Sequence, residues 1–362
     1  MGFESSRAEI ITRFIDQSGW ADAAVEWLGQ DASTRRYARL KQPGGPSAIL
    51  MDVPLIESPP CSPEMTAEQR AALGWNAETR LAASRVEAFV LIADHLTAAG
   101  LRPPKIYGVG AAHGLALIED FGVNREFARL IEAGREELPL YVRAAEDLAH
   151  LHALTKPDTL QKDGLTWPIL EFDAIALRAN ADLYADWFHR YDQRARMTDR
   201  DRARWETVRD ALIAQAVVFP REFTLRDYHA ENLLWLESEQ RIGVLDFQDA
   251  VIGWDAWDMA MLTQDARRTV SRQASEAAIS AYLRKSGKLE APFQERLAVI
   301  GALNALRIAG VFARLVIRDS KPRYQTFMPR QLSLLAENLK HPAAADLRAF
   351  ITETAPFILE TS

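Results

Sequence analysis

The sequence predicts an α+β fold in two unequal parts, a small β-rich N-terminal one and a larger, mostly helical C-terminal one. Three observations carry this. Before Phe121, strand-like runs alternate with helical apolar spacing. After Phe121-Gly122 the texture turns mostly helical. The chain has 362 residues, 48% hydrophobic and 26% charged, which suits one large or two modest domains around a sizeable core.

Each element has its own signal. Ser5 to Gln17 places Ile10, Ile11, Phe14 and Ile15 on one side of a helix that Ser18-Gly19 stops. Tyr37 to Leu40 and Ala48 to Met51 flank Pro43-Gly44-Gly45-Pro46 and predict a β-hairpin. Pro54, Pro59, Pro60 and Pro63 predict an exposed loop, because neither helix nor central strand tolerates that density of proline. Leu81 to Ala98 predicts a helix ending at Gly100, and Ile106 to Val109 with Leu115 to Ile118 a second strand pair. Helices follow over Leu140 to Leu154, Leu170 to Tyr191 and Arg200 to Val217. Short β-like runs interrupt them at Glu222 to Leu225, Asn232 to Leu236 and Ile242 to Leu245. Helical spacing resumes at Trp257 and continues to Phe350, with no internal repeat.

The net formal charge of −7 and a pI near 5.6 argue against nucleic acid or an anionic membrane held through bulk charge. No uninterrupted apolar stretch approaches the ~18 residues of a membrane span. The single cysteine, Cys61, excludes an internal disulfide framework and suits a reducing cytoplasm. Charged residues Glu4, Arg7, Glu9 and Arg13 do not read as a signal peptide. A cytoplasmic protein with small-molecule partners is expected.

The chemistry is concentrated in two neighbouring stretches. Arg226-Asp227 is followed by Asn232-Leu233-Leu234, and after a strand pair by Val244-Leu245-Asp246-Phe247. That order is the catalytic core of kinase-like phosphotransferases. Phosphoryl transfer builds charge on the moving group, so metal ions must be held by carboxylate and amide oxygens, and a further carboxylate must meet the attacking hydroxyl. Asp227 is predicted to orient the hydroxyl and accept its proton, with Arg226 bracing the loop. Asn232 and Asp246 are predicted to hold Mg²⁺, a hard ion that prefers such ligands. Asp258, opening the next helix, is predicted to accept hydrogen bonds from the loop backbone. His150 and His152 sit at a spacing unlike a helical zinc pair, and helix packing is expected of His152.

The chain resembles the aminoglycoside-phosphotransferase/choline-kinase superfamily over nearly its whole length. Within it, the chain is most similar to the kinases that phosphorylate the anomeric hydroxyl of N-acetylmuramate and N-acetylglucosamine. The segments that carry this are Asp31 to Tyr37, Leu225 to Leu234, Gly243 to Ala250, and Gly310 to Asp319 with Lys321-Pro322-Arg323-Tyr324. The resemblance implies a protein-kinase-like two-lobed fold, with a nucleotide-binding lobe over residues 1–120 and a helical lobe with the acceptor site over 121–362. It implies ATP and Mg²⁺. Ser33 and Thr34 would offer backbone N–H groups to the phosphates and Arg35 or Arg36 a cation, while the backbone of Glu119 and Phe121 would receive adenine.

One departure stands out. Gln42 to Gln69 contains no Lys or Arg, and Met51 sits about where such kinases carry a strand lysine. Arg35, Arg36 or Lys41 is expected to substitute; a nucleotide-binding pseudokinase is the contrary expectation. For the acceptor, a polycationic aminoglycoside would require an acidic groove, whereas the C-terminal helices carry Arg307, Arg314, Arg318, Arg323 and Arg330. Arginine forks suit a carboxylate such as that of N-acetylmuramate. Arg314, Arg318, His229 and Trp257 are the expected substrate contacts, with an aminoglycoside or other small alcohol as the alternative acceptor.

Overall fold

The computed structural model describes residues 6–29, 35–53, 65–82 and 85–361. Helix α1 (Arg7–Gln17) starts at a reciprocal cap in which the Ser6 hydroxyl accepts the Glu9 N–H and the Glu9 carboxylate accepts that of Ser6. Five antiparallel strands follow: β1 (Ala24–Trp27), β2 (Arg36–Lys41), β3 (Ser47–Asp52), β4 (Ile106–Gly110) and β5 (Leu115–Glu119). They lie in the order β1-β2-β3-β5-β4. The predicted Pro54 to Pro63 loop lies outside the described residues, as do Cys61, Ser33 and Thr34.

Strand alternation decides what each face meets. Ala48 and Leu50 on β3, with Leu115 and Leu117 on β5, pack under Ile11, Phe14 and Ile15 of α1. The intervening Met51, Ala116 and Ile118 face the opposite way, into a core shared with the helical part. Two short helices, α2 (Ala67–Leu73) and α3 (Trp75–Glu78), precede α4 (Val86–Ala98). Phe89 of α4 stacks on Phe247, ring centroids 4.8 Å apart, so α4 bridges the sheet and the stretch around Asp246.

The rest is mostly helical, as expected. Helices α5 (Phe127–Glu132) and α6 (Glu137–His152) lead to a small hairpin, β6 (Thr159–Lys162) and β7 (Leu165–Pro168). The helix expected from Leu170 begins later, as α7 (Ala174–Leu183), because Asp173 caps it and Phe172 is drawn into a hydrogen bond with Ile252. A π-helical turn over 184–188 joins α7 to α8 (His189–Tyr191), and α9 (Asp199–Val217) follows. The short β-like runs form two separate pairs. Strand β8 (Arg221–Thr224) pairs with β11 (Val251–Trp254), and β9 (Leu233–Leu236) with β10 (Arg241–Val244). Helices α10 (Asp255–Thr263), α11 (Arg272–Ser286), α12 (Glu290–Ile317), α13 (Met328–Asn338) and α14 (Ala345–Thr354) complete the chain.

Helix α12 is long and apolar enough to cross a membrane by composition, yet most of its apolar stretch is buried among α7, α10 and α13. Its close approach to α7 depends on Gly310, where a Cβ would fall 2.3 Å from the Leu183 carbonyl carbon. Gly310→Ala is therefore expected to destabilise the protein by about 1–3 kcal/mol through overpacking. A denaturant midpoint equal to that of the unsubstituted protein would contradict this packing.

Candidate active site

The loop between β8 and β9 is held from two sides. The fully buried Asp258 carboxylate accepts the backbone N–H groups of Leu225 and Arg226, each at 2.8 Å. The Trp257 indole N–H donates to the Arg226 carbonyl at 3.1 Å. The buried Arg226 guanidinium donates to the carbonyls of Thr79 and Arg80 and lies over the Phe172 ring. Arg226 has a φ of 74°, a conformation that a side chain larger than glycine adopts only under constraint. The next residue is Asp227. The expected role of Asp258 is thus met, and His152 packs beside it, its ring hydrogen-bonded to the Tyr282 hydroxyl.

Asn232 and Asp246 are brought to this loop by backbone bonds. The Asn232 amide donates to the Asp227 carbonyl at 2.9 Å, and the Leu245 N–H donates to the Asn232 carbonyl at 2.9 Å. Asp246 follows immediately, also at positive φ (56°). The Asp246 carboxylate is 37% exposed, and its Oδ1 accepts from Arg35 at 3.1 Å and from the Gln248 amide at 2.8 Å. Burial alone would raise its pKa; Arg35, Gln248 and His229 outweigh that and hold it below the usual carboxylate range. Burial pushes the neighbouring Asp249 up instead, despite the N–H it accepts from Ala82.

These donors fit a magnesium ion. Anionic Asp246 and the amide oxygen of Asn232 are hard ligands. The Gln248 carbonyl oxygen beside them is buried without a hydrogen-bond partner among the described residues. A guanidinium resting on Asp246 marks the position as one that attracts positive charge.

Arg35 is also the cation that reaches the cleft from the sheet. Arg36 pairs with Asp52 and lies over Trp27, and Lys41 pairs with Glu26. Met51 is buried in the core. At the junction of the two parts, the Glu119 carboxylate accepts two N–H groups of Arg102, which also binds Glu239 and lies over the Phe121 ring. The Glu119 N–H donates to Lys105. Phe121 packs with Leu234, Leu236 and Leu245, an apolar patch next to Asp246 in the chain.

A cavity of about 110 Å³ opens beside Asp227. His229 lines it, with its Nε2 3.2 Å from the Arg267 guanidinium and its Nδ1 3.4 Å from the Glu231 backbone nitrogen. Burial lowers the His229 pKa. The other expected substrate residues lie elsewhere. Trp257 is 1% exposed and packs edge-on to Phe172, so it offers no face to a ligand. Arg314 lies over Trp75, and Arg318 pairs with Asp319 at the surface. Arg307, farther back on α12, reaches the cavity, as do Gln264, Asp265 and Arg267 at the end of α10. The last three were not anticipated; the only signal is a charged cluster, Asp265-Ala266-Arg267-Arg268, directly after an apolar helix. A larger cavity, about 620 Å³, lies between α4, β4 and the β6–β7 hairpin and includes none of these groups.

A small antiparallel sheet over a helical body, with two carboxylates and an amide gathered by one loop and the following strand pair, defines a phosphoryl-transfer enzyme. The sequence profile of the phosphotransferase enzyme family matches residues 25–296, and the chain belongs to that family. It is 43% identical over 361 residues to a protein of Caulobacter vibrioides named N-acetylmuramate/N-acetylglucosamine kinase, covering 98% of this chain and 99% of that one. A Pseudomonas aeruginosa protein of the same name is 29% identical, covering 91% and 89%. Similar solved structures include a microcompartment-associated aminopropanol kinase (TM-score 0.57, 14% identity, covering 94% and 98%). A choline/ethanolamine kinase family protein from Mesorhizobium loti is similar too (TM-score 0.55, 16%, covering 96% and 99%).

Asp258→Asn replaces one oxygen that accepts a buried backbone N–H by an NH2 that cannot accept it, leaving two donors face to face. We expect a loss of about 1–3 kcal/mol in stability and a fall in turnover per folded molecule. Unchanged turnover in folded Asp258→Asn would show that this carboxylate does not aim Asp227.

Proposed function

We infer that the chain is an ATP-dependent kinase that phosphorylates the anomeric hydroxyl of N-acetylmuramate and N-acetylglucosamine. One observation carries this reading: the 43% identity, end to end, with a kinase named for those two sugars. Family membership and the grouping of Asp227, Asn232 and Asp246 support the chemistry. A cytoplasmic setting suits an enzyme that consumes ATP.

In the proposed mechanism Asp227 accepts a hydrogen bond from the anomeric hydroxyl and takes its proton as that oxygen bonds to the γ-phosphorus. The bond from phosphorus to the bridging oxygen breaks, and ADP leaves. An anomeric hydroxyl is more acidic than an ordinary alcohol, so a carboxylate is an adequate base. Asn232 and Asp246 would hold Mg²⁺, which offsets the negative charge of the phosphates. Arg35 takes the part of the missing strand lysine, because it projects from the sheet side onto Asp246. Its place in the cleft weighs against a pseudokinase. Arg226 acts as a brace, since its side chain is committed to Thr79 and Arg80. Ser33, Thr34 and the backbone of Glu119 and Phe121 would complete the nucleotide site, with residues 1–120 as its lobe and 121–362 as the acceptor lobe.

ADP release with N-acetylmuramate, N-acetylglucosamine and kanamycin tests the acceptor, and turnover of kanamycin alone would overturn it. Asp227→Ala is expected to lose about 10²–10⁴-fold in turnover while still binding nucleotide in a thermal-shift titration. An active Asp227→Ala enzyme would remove that residue from the mechanism. Arg35→Ala should raise the KM for ATP more than that for the sugar; an unaltered KM for ATP would count against Arg35 as the phosphate cation.

A further inference from the structure

The cavity beside Asp227 is lined by Asp265, which has an unmatched acceptor oxygen, and by Arg307, which has an unmatched donor. Asp265 is 3% exposed. Its Oδ1 accepts the Arg267 backbone N–H at 2.8 Å, whereas its buried Oδ2 accepts nothing among the described residues. Across the same cavity, the Arg307 Nε donates to Asn304 at 3.0 Å. Its Nη2 reaches only the Met261 sulfur, at 4.0 Å, and its Nη1 has no hydrogen-bond partner among the described residues. A buried carboxylate oxygen left without a partner, such as Asp265 Oδ2, is rare, because it carries the full cost of its lost hydration. Arg307 is half-buried and keeps donors toward the cavity. Ile308, Val311 and Phe312 supply an apolar wall.

We propose that this cavity is the pocket for the acetamido group on the carbon next to the anomeric centre, a reading that rests on the amino-sugar kinase assignment above. Asp265 accepts the amide N–H, Arg307 donates to the amide carbonyl, and the methyl group meets the apolar wall. The position of the pocket follows from the chemistry, since Asp227 lines the cavity and the acetamido group is the immediate neighbour of the reacting hydroxyl.

Other substituents fit less well. A carboxylate would pair with Arg307 but meet the charge of Asp265. A protonated amine would pair with Asp265 but meet Arg307. A bare hydroxyl could contact either group, yet would leave the apolar wall empty. Only a group with one donor, one acceptor and a methyl satisfies all three surfaces. The pocket also accounts for a single enzyme using both sugars, because the acetamido group is what they share at this position.

The test is the ratio of kcat/KM for N-acetylglucosamine to that for glucose, with glucosamine as a third acceptor, in the unsubstituted enzyme, Asp265→Ala and Asp265→Asn. The proposal expects Asp265→Ala to lower the ratio by about 10- to 100-fold, mainly by raising KM for the acetylated sugar. Asp265→Asn, which keeps an acceptor oxygen and the side-chain volume, should recover part of that loss. A ratio unchanged in Asp265→Asn and Asp265→Ala proteins that melt like the unsubstituted one would overturn the pocket while leaving the kinase assignment intact. An unsubstituted enzyme that releases ADP with glucose but with neither amino sugar would overturn the assignment and the pocket together.

Discussion

The arrangement of this protein depends on one buried carboxylate. Asp258 spends both oxygens on consecutive backbone N–H groups, those of Leu225 and Arg226, and so holds open a turn that the chain would otherwise relax. Positive φ at an arginine is costly, on the order of 1–3 kcal/mol, and persists only where the surroundings fix it. Here the surroundings do so three times over: Asp258 takes the N–H groups, Trp257 binds the carbonyl, and the arginine side chain is anchored to Thr79 and Arg80. The orientation of Asp227 follows from that turn. Through the Asn232 amide and the Leu245 N–H, so does the placement of the proposed metal ligands.

The same construction joins the two parts of the molecule. Arg226 reaches the segment after α3, Asp249 accepts the Ala82 N–H, Phe89 stacks on Phe247, and Arg35 comes across to Asp246. The stretch from Leu225 to Asp249 is therefore a shared structural element, with sheet and helices both packed against it. Charge is arranged in the same economical way. The cleft gathers acidic groups that repel one another, and Arg35 offsets part of that repulsion at Asp246. That position is the basis for proposing it as the group that meets the phosphates of a nucleotide.

Much of this was legible in the sequence, and the exceptions have physical reasons. The β2–β3 and β4–β5 pairs were readable because alternate residues face two different cores. Strand β1 was not, since all four of its residues are exposed and carry no such pattern. Strands β6, β7 and β11 are also four residues each, two of them in a polar hairpin and one running straight into a helix. The helix expected from Leu170 starts at Ala174, because pairing with Ile252 and the Asp173 cap outweigh apolar periodicity.

The grouping of Asp227, Asn232 and Asp246, our proposed catalytic and metal residues, was legible because loop and strand spacing are local. The cavity beside it was not, because Asp265 and Arg307 come from the end of α10 and the middle of α12, and only packing brings them together. The arginines of α12 were a visible signal, but helix phase decides which of them faces the cleft. Arg307 does, while Arg314 and Arg318 are turned to Trp75 and to the surface.

A crystal structure with Mg²⁺ and a non-hydrolysable ATP analogue tests the central claim most directly. The account predicts the metal on Asp246 and Asn232, the terminal phosphate facing Asp227, and the Arg35 guanidinium moved from Asp246 onto phosphate oxygens. A nucleotide bound outside this cleft, or a metal that leaves Asp246 paired with Arg35, would contradict it.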